Sequence, residues 1–205
     1  MYGSIIKDPR RLNQRVKDYL EEFWVAQAHL TVLDTFTSMQ KWHPPTSSFY
    51  KLNFDATVFS DTCSSGFRAI ICNNLGEVMA AMSTKGPSVV DSEEAEVLAC
   101  RRALMFAVDA GFEELMIEGD NSTIINSIAS LWALRSRLGN IHANIHLLAT
   151  GSRCKSFSCV KCEANSVAHS LARYARNIDE DIFWMEESPP PALEALYLDS
   201  LSLNE

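Results

Sequence analysis

The fold is decided by residues 94–104, Glu94-Ala95-Glu96-Val97-Leu98-Ala99-Cys100-Arg101-Arg102-Ala103-Leu104. This stretch has the pattern of a helix, with Asp91 as N-cap, Glu94 as its reciprocal capping residue and Gly111 as the stop. Glu96 lies in a stripe of small residues: Ala99, Cys100, Ala103 and Ala107. Because such a stripe lets a helix lie close to a sheet or another helix, Glu96 faces a packed surface. A carboxylate there is costly unless a cation pairs with it or it reaches water at the edge of the face.

Composition limits the class of protein. The chain has 205 residues, 47% hydrophobic and 21% charged, which fits one globular domain with additions. No run of about 18 apolar residues occurs, so we expect no membrane span. The first residues have no apolar signal core, and the six cysteines are then expected as reduced thiols. We therefore expect a cytoplasmic or nuclear protein, and a monomer.

The net charge of −8 is unevenly distributed. Residues 51–178 hold 12 basic and 13 acidic side chains, whereas residues 179–205 hold eight acidic and no basic ones. An acidic chain is a poor general binder of nucleic acid. Any nucleic-acid role therefore requires a local basic surface or metal ions that offset phosphate repulsion.

The chain divides into three regions. Residues 1–45 are expected to hold an amphipathic helix, over residues 8–36, and a linker that contains Pro44 and Pro45. The helix docks on its own domain, is flexibly attached, or binds a protein partner. We expect a compact domain over residues 46–182 and an acidic, proline-containing tail over residues 183–205.

The central region predicts an α/β fold. Three short-linked strands at residues 50–59, 67–72 and 77–83 indicate an antiparallel meander. After the helix that contains Glu96, a strand at 113–119 indicates a parallel crossover. Two helices, a fifth strand and a last helix follow, starting at residues 121, 136, 154 and 165. The expected fold is a five-stranded mixed sheet, with three antiparallel strands and then two parallel ones, and helices on both faces.

Three carboxylates fall at positions where this topology can bring them together. Asp55 lies in the middle of the first strand, Glu96 on the helix and Asp120 at the end of the fourth strand. Taken singly, Asp120 is as well explained as a helix N-cap and Asp55 as an ordinary strand residue. Taken together, clustered carboxylates on rigid elements suit Mg²⁺ or Mn²⁺. Two such ions would bind the attacking and leaving oxygens of a phosphodiester.

These motifs resemble the ribonuclease H type 1 domain. The resemblance is carried by four stretches in order, Phe54-Asp55-Ala56, Glu94-Ala95-Glu96-Val97-Leu98-Ala99, Glu118-Gly119-Asp120-Asn121 and Asn165-Ser166-Val167-Ala168-His169-Ser170-Leu171-Ala172. Trp42-His43-Pro44-Pro45, before Lys51-Leu52-Asn53, resembles the lead-in of the plant branch derived from reverse transcriptases of non-LTR retrotransposons. The resemblance covers about residues 42–178.

The resemblance implies a ribonuclease H-like fold and an endonuclease that hydrolyses the RNA strand of RNA–DNA hybrids with two Mg²⁺ or Mn²⁺ ions. It assigns metal binding to Asp55, Glu96 and Asp120, and a catalytic place to His169 as well. It places substrate contacts at four positions: Ala56, Thr57, Ser92 and Asn121.

Several departures favour an alternative, a catalytically weak domesticated module that binds nucleic acid or a protein partner. His169 stands where the family has a fourth acidic residue, and imidazole is a weaker ligand for Mg²⁺ than carboxylate. The turn after the first strand is not glycine-rich, and the tail is acidic. For a basic protrusion, the nearest candidates are Arg135 and Arg137.

Other potential ligands are interpreted as structural. Cys154, Cys159 and Cys162 have the spacing of an iron–sulfur or half-zinc motif, but a strand would point the first two to opposite faces. His142 and His146 lie one helical turn apart and are interpreted as a solvated face. An exonuclease-like site would require an acid at position 57, where Thr57 stands. An integrase-like site would place its Glu last.

Overall fold

The computed structural model describes residues 31–33, 42–46, 48–129 and 136–202. The helix predicted over residues 8–36 lies outside this part of the chain except at Thr31–Leu33. Those three residues form a strand, β1, in parallel register with residues 156–158, so this end of the helix prediction is wrong. The physical reason is that the backbone of β1 bonds to a strand more than 100 residues away, a pairing that helical periodicity cannot reveal.

The described residues form one seven-stranded sheet in the order β1-β6-β5-β2-β3-β4-β7. The strands after β1 are β2 (Tyr50–Phe59), β3 (Ser64–Cys72), β4 (Val78–Gly86), β5 (Leu115–Gly119), β6 (Ser156–Cys159) and β7 (Ile182–Met185). The first four strands of this order pair in parallel, and β2, β3, β4 and β7 pair antiparallel. The predicted fold class is confirmed, and β1 and β7 add one strand at each edge to the five predicted strands.

The meander follows from local turn chemistry. Between β3 and β4, the side-chain oxygen of Asn73 accepts hydrogen bonds from the backbone N–H groups of Leu75 and Glu77, at 2.9 and 3.0 Å. Gly76 has a φ of 80°, which glycine adopts without strain. This turn joins β3 to β4, and Arg68 lies opposite Ser83 in that pairing. In the separate pairing of β2 with β3, Arg68 lies opposite Asp55.

The helix that contains Glu96 is α1 (Ser92–Asp109). Asp91 caps it by accepting a hydrogen bond from the backbone N–H of Glu94 at 2.8 Å. In return, the Glu94 carboxylate accepts a hydrogen bond from the N–H of Val90, whereas the reciprocal cap predicted the N–H of Asp91 as its donor. The small residues of the predicted stripe, Ala99, Cys100, Ala103 and Ala107, are fully buried. Because they are small, α1 lies close to the sheet.

Two hydrophobic cores cover the two faces of the sheet. The first contains α1 together with α2 (Ser122–Ala129) and α3 (Gly139–Gly151). The second contains Trp42, α4 (Ser166–Ala175), Trp184 of β7 and α5 (Leu193–Ser202). Short 3₁₀ helices, Cys162–Asn165 and Pro190–Ala192, precede α4 and α5. Helices thus lie on both faces.

The second core extends beyond the predicted domain. Trp42 and Trp184 are both buried in it, on the outer sides of residues 46 and 182. The boundaries at 46 and 182 stay predictions, which truncated chains would test. Within the described ranges, no helix combines the length and apolarity that crossing a bilayer requires.

Candidate active site

Three strand and helix positions bring the carboxylates together. β5 lies beside β2 in parallel register, so Asp120, directly after β5, approaches Asp55 in the middle of β2. Glu96 reaches the same point from the second turn of α1. One carboxylate oxygen from each residue lies within 4.8 Å of the others. The structure thus brings together the three residues that the sequence analysis selected as metal ligands.

Gly119 makes this approach sterically possible. A Cβ atom at Gly119 would lie 2.8 Å from Cζ of Phe54, closer than side-chain atoms pack. The ring of Phe54 fills the space that a side chain at position 119 would need. A glycine is therefore required directly before Asp120.

Asp55 is buried, and both of its oxygens are engaged. Oδ1 accepts a hydrogen bond from the backbone N–H of Ala56 at 2.7 Å. Oδ2 lies 2.8 Å from Nη2 of Arg68 and 3.4 Å from Nδ1 of His169. Asp55 is therefore the point where the carboxylate cluster meets a permanent cation and the imidazole.

Arg68 is a buried cation that pairs with Asp55, and the sequence motifs did not single it out. Its side chain is fully buried. Nη2 also donates to the hydroxyl of Thr57 at 3.1 Å, and Nη1 donates to the carbonyl of His169 at 3.2 Å. The available signal was its place as the one charged residue of an apolar strand. Burial lowers the pKa of Arg68 to about 10, and the charge of Asp55 opposes this shift, so the guanidinium stays protonated at neutral pH.

Glu96 is protonated at neutral pH when no cation is bound. Burial, followed by the charges of Asp55 and Asp120, raises the pKa of Glu96 to about 9. Within the described part of the chain, its Oε2 atom is buried and has no hydrogen-bond partner. An oxygen left unpaired inside a carboxylate cluster fits a divalent cation as its partner.

Asp120 is the most accessible of the three carboxylates. Burial, and then the charge of Asp55, raises the pKa of Asp120, while a hydrogen bond with the thiol of Cys162 acts in the opposite direction. The capping role considered for Asp120 belongs to its neighbour, because Oδ1 of Asn121 accepts a hydrogen bond from the N–H of Ile124 at 3.2 Å.

His169 lies on α4 at the rim of the cluster, with about half of its side chain exposed (53%). Of the four predicted substrate positions, Ala56, Thr57 and Asn121 are half-buried. The Ala56 amide and the Thr57 hydroxyl are bound to Asp55 and Arg68, as described above. Ser92 is exposed at the start of α1.

A second buried polar network lies beside the first. Lys51 of β2 pairs with Glu118 of β5 at 2.7 Å, and its Nζ also donates to the carbonyl of His43 at 2.6 Å. The amide of Asn53 donates to Glu118 at 3.2 Å and accepts a hydrogen bond from the indole of Trp42 at 3.2 Å. Glu118 belongs to the motif Glu118-Gly119-Asp120-Asn121, which predicted no role for it.

Asn165 links this network to the carboxylate cluster. Its amide donates to the carbonyl of Phe54 at 3.1 Å, and its oxygen lies 3.4 Å from the amide nitrogen of Asn53. Asn165, directly before α4, thus ties the start of this helix to the strand that carries Asp55.

The interpretation of His142 and His146 as a solvated face is wrong, because both are buried. His142 bonds to the Ser127 hydroxyl at 3.1 Å and the Leu138 carbonyl at 3.0 Å, so it joins α3 to α2. Burial lowers the pKa of His146 to about 4. The two rings point inward because α3 packs on α2, a contact that helical periodicity does not reveal.

Of the two candidates for a basic protrusion, the described part of the chain includes Arg137. Arg135 lies outside the described residues. Arg137 pairs with Asp91 and Glu94 at 3.0 and 3.2 Å, so it supports the start of α1.

Of the three cysteines whose spacing resembles a metal motif, Cys154 and Cys159 form local hydrogen bonds. Cys154 donates to the carbonyl of Ser156, and Cys159 donates to the carbonyl of Val160. Neither belongs to the carboxylate cluster.

The sheet order, the two helical layers and the carboxylate cluster define a ribonuclease H-type domain. The chain belongs to the reverse transcriptase-like family, whose pattern matches residues 53–175. No curated protein matches the sequence.

Solved structures share the fold at low sequence identity. RNase H1 from Halobacterium salinarum is 20% identical, with a TM-score of 0.57 over 63% of this chain and 98% of that one. The N-terminal RNase H domain of a Mycobacterium tuberculosis protein is 18% identical, with a TM-score of 0.53 over 64% and 95%. LC11-RNase H1, isolated from compost and crystallised with an RNA/DNA hybrid, is 17% identical, with a TM-score of 0.55 over 62% and 96%.

Proposed function

We propose that the protein is a divalent-metal-dependent endonuclease that hydrolyses the RNA strand of RNA–DNA hybrids. The observation that carries the proposal is the group Asp55, Glu96 and Asp120, whose ligand oxygens lie within 4.8 Å of one another. One buried oxygen of Glu96 has no partner among the residues that the structure describes. Carboxylate oxygens held on a strand, a helix and a strand end suit two Mg²⁺ or Mn²⁺ ions.

The substrate class is supported by the fold. LC11-RNase H1 shares the fold and binds an RNA/DNA hybrid in its crystal structure. The net charge of this chain, −8, makes sequence-independent attraction of phosphate weak. Metal ions at the carboxylates would provide local positive charge for the scissile phosphate.

The chain's own residues have separate roles in this proposal. Bound divalent ions would activate water and stabilise charge on the phosphate. Asp55 and Asp120 supply negative charge, and Glu96 releases its proton when a cation binds beside it. His169, half exposed at the rim, is placed to carry a proton to or from bulk water.

We also assign contacts with the hybrid to four positions, Ala56, Thr57, Ser92 and Asn121. As part of the same proposal, the protein works as a monomer in the cytoplasm or nucleus, and its N-terminal segment is the candidate for binding a protein partner. The plant, retrotransposon-derived origin belongs to this proposal too.

The test is cleavage of a labelled RNA strand paired with DNA. The same RNA single-stranded and paired with RNA serves as control, in Mg²⁺, in Mn²⁺ and in EDTA. We expect cuts only in the hybrid and only with metal, and none with Asp120→Asn. Cutting in EDTA, or equal cutting by Asp120→Asn, would contradict the proposal.

One observation favours the alternative of a catalytically weak module. Arg68 occupies the Oδ2 atom of Asp55, an oxygen that a metal ion would use. Binding of the hybrid without cleavage in either metal would support this alternative.

A further inference from the structure

Arg68 is bonded directly to Asp55, one of the three members of the carboxylate cluster. Its guanidinium is fully buried and bonded to Asp55 Oδ2, the Thr57 hydroxyl and the His169 carbonyl, at 2.8, 3.1 and 3.2 Å. A permanent cation with three such contacts is held in one orientation. Arg68 therefore contributes a full positive charge at the point where a divalent ion would bind.

Arg68 and a bound divalent ion would compete for the same oxygen atom, Oδ2 of Asp55. Asp55 Oδ1 is bound by the Ala56 amide, and Asp55 Oδ2 is bound by Arg68. Glu96 Oε2, by contrast, is buried and unpartnered within the described residues, and it belongs to the same cluster. The cluster thus holds an open acceptor next to one that Arg68 already occupies.

We propose that Arg68 is a positioning residue that stands in for the divalent cation at Asp55 and sets the affinity of the site for metal. When an ion binds, Nη2 leaves Asp55 Oδ2 and keeps its bond to the Thr57 hydroxyl. No covalent bond changes in this exchange. The inference rests on the metal site of the proposed function.

The His169 contact gives this exchange a structural consequence. Nη1 holds the backbone of α4 at the residue whose imidazole lies 3.4 Å from Asp55. Movement of the guanidinium therefore also shifts the point where α4 rests on β3. Metal binding and the position of His169 are coupled through one side chain.

The test measures Mn²⁺ affinity by calorimetry and the melting temperature in EDTA and in Mn²⁺, on the full chain. Arg68→Met removes the charge but keeps an unbranched apolar stem. We expect it to bind Mn²⁺ at least roughly tenfold more tightly, because the ion no longer competes with a charged hydrogen bond. It should also melt lower than wild type in EDTA and recover most of that loss in Mn²⁺.

Two further variants separate charge from general stability. Arg68→Lys keeps the charge and should show wild-type affinity within about threefold. Lys51→Met breaks the neighbouring buried ion pair outside the cluster, so its melting temperature should fall without recovery in Mn²⁺. Equal Mn²⁺ affinity in wild type and Arg68→Met would overturn the inference, as would recovery of Lys51→Met in Mn²⁺.

Thr57→Val keeps the test decisive if Arg68→Met does not fold. This variant preserves the charges of Arg68 and Asp55 and the shape of the side chain at position 57. It removes the hydroxyl to which the displaced guanidinium would stay bonded. We expect Mn²⁺ affinity to fall several-fold, and unchanged affinity would count against the exchange.

Hybrid cleavage provides an independent result. Arg68-dependent Mn²⁺ affinity in a chain that cuts no hybrid would defeat the proposed function and leave this inference standing. Hybrid cleavage by the wild type, together with equal Mn²⁺ affinity in wild type and Arg68→Met, would overturn this inference and leave the proposed function standing.

Discussion

Two buried ion pairs lie side by side on the sheet, and they differ in how fully their polar atoms are satisfied. In the pair of Lys51 and Glu118, the ammonium also bonds to a carbonyl and lies 5.5 Å from the centre of the Trp42 ring. Glu118 bonds to Asn53 as well. These contacts join β2 to β5 and the lead-in segment to β2, so the pair stabilises the fold.

The pair of Arg68 and Asp55, by contrast, belongs to a group with more carboxylates than cations. Glu96 and Asp120 add two carboxylates to one guanidinium. Nε of Arg68 and Oε2 of Glu96 are buried without partners in the described structure. Since buried polar groups are normally satisfied, a cluster that leaves such atoms open is organised for something that binds there. Comparison of the two pairs therefore separates stability from function.

Breaking the satisfied pair should have the largest effect on folding. Lys51→Met leaves Glu118 buried without its cation, and we expect the free energy of unfolding to fall by about 3–5 kcal/mol. Urea denaturation measures it. The double variant Lys51→Met/Glu118→Leu should recover most of the loss, and a double variant no better than the single would contradict this account.

Asp120→Asn should do the opposite, with little effect on folding and a large one on activity. We expect hybrid cleavage to fall by about 100-fold or more, the range seen when one group that stabilises transition-state charge is removed. The metal-free melting temperature should stay level or rise, because a repelling carboxylate is gone. Initial rates and thermal melts check both. A strong loss of melting temperature would instead give Asp120 a structural role.

In EDTA, the stability of the wild type should depend on pH through Glu96, and Glu96→Gln should remove this dependence. The folded-state pKa of Glu96 is about 9, above its ordinary value of 4.5. Below pH 4.5 the carboxyl is protonated in both states. As the pH rises from 4.5 towards 9, the unfolded chain ionises and the folded one does not, so stability is lost across this window.

At pH 8 in EDTA we therefore expect the free energy of unfolding of Glu96→Gln to exceed that of wild type, by an amount that grows as the pH rises above 4.5. The difference should vanish near pH 4. Urea titrations at the two pH values measure it, and a difference independent of pH would show that Glu96 is not held protonated.

His169→Asp should have the smallest effect, a change of metal preference of roughly tenfold towards Mg²⁺. The wild type should favour Mn²⁺, which accepts nitrogen ligands more readily than Mg²⁺ does. Initial rates of cleavage in each metal, for both proteins, test this. An identical metal preference in the two proteins would remove His169 from the metal site.

Much of the fold could be predicted because it depends on neighbours in the chain. Alternation in residues 50–59 predicted β2, and the turn at Asn73–Gly76 predicted the meander. Asp91 predicted the start of α1. The convergence of Asp55, Glu96 and Asp120 was also predictable, since their order along a strand, a helix and a strand implies it once β5 lies beside β2.

The rest depended on contacts between distant segments. The partner of Arg68 is set by the register of β2 with β3 and by α4 docking on both. The strand β7 exists because it pairs with β4, about 100 residues earlier in the chain. His142 and His146 are buried because α3 packs on α2. By itself, the sequence determined which carboxylates form the cluster, because local periodicity and motif order are enough for that. Only the tertiary structure decided which cation lies among them, because burial and pairing register are properties of the packed sheet rather than of any one stretch of chain.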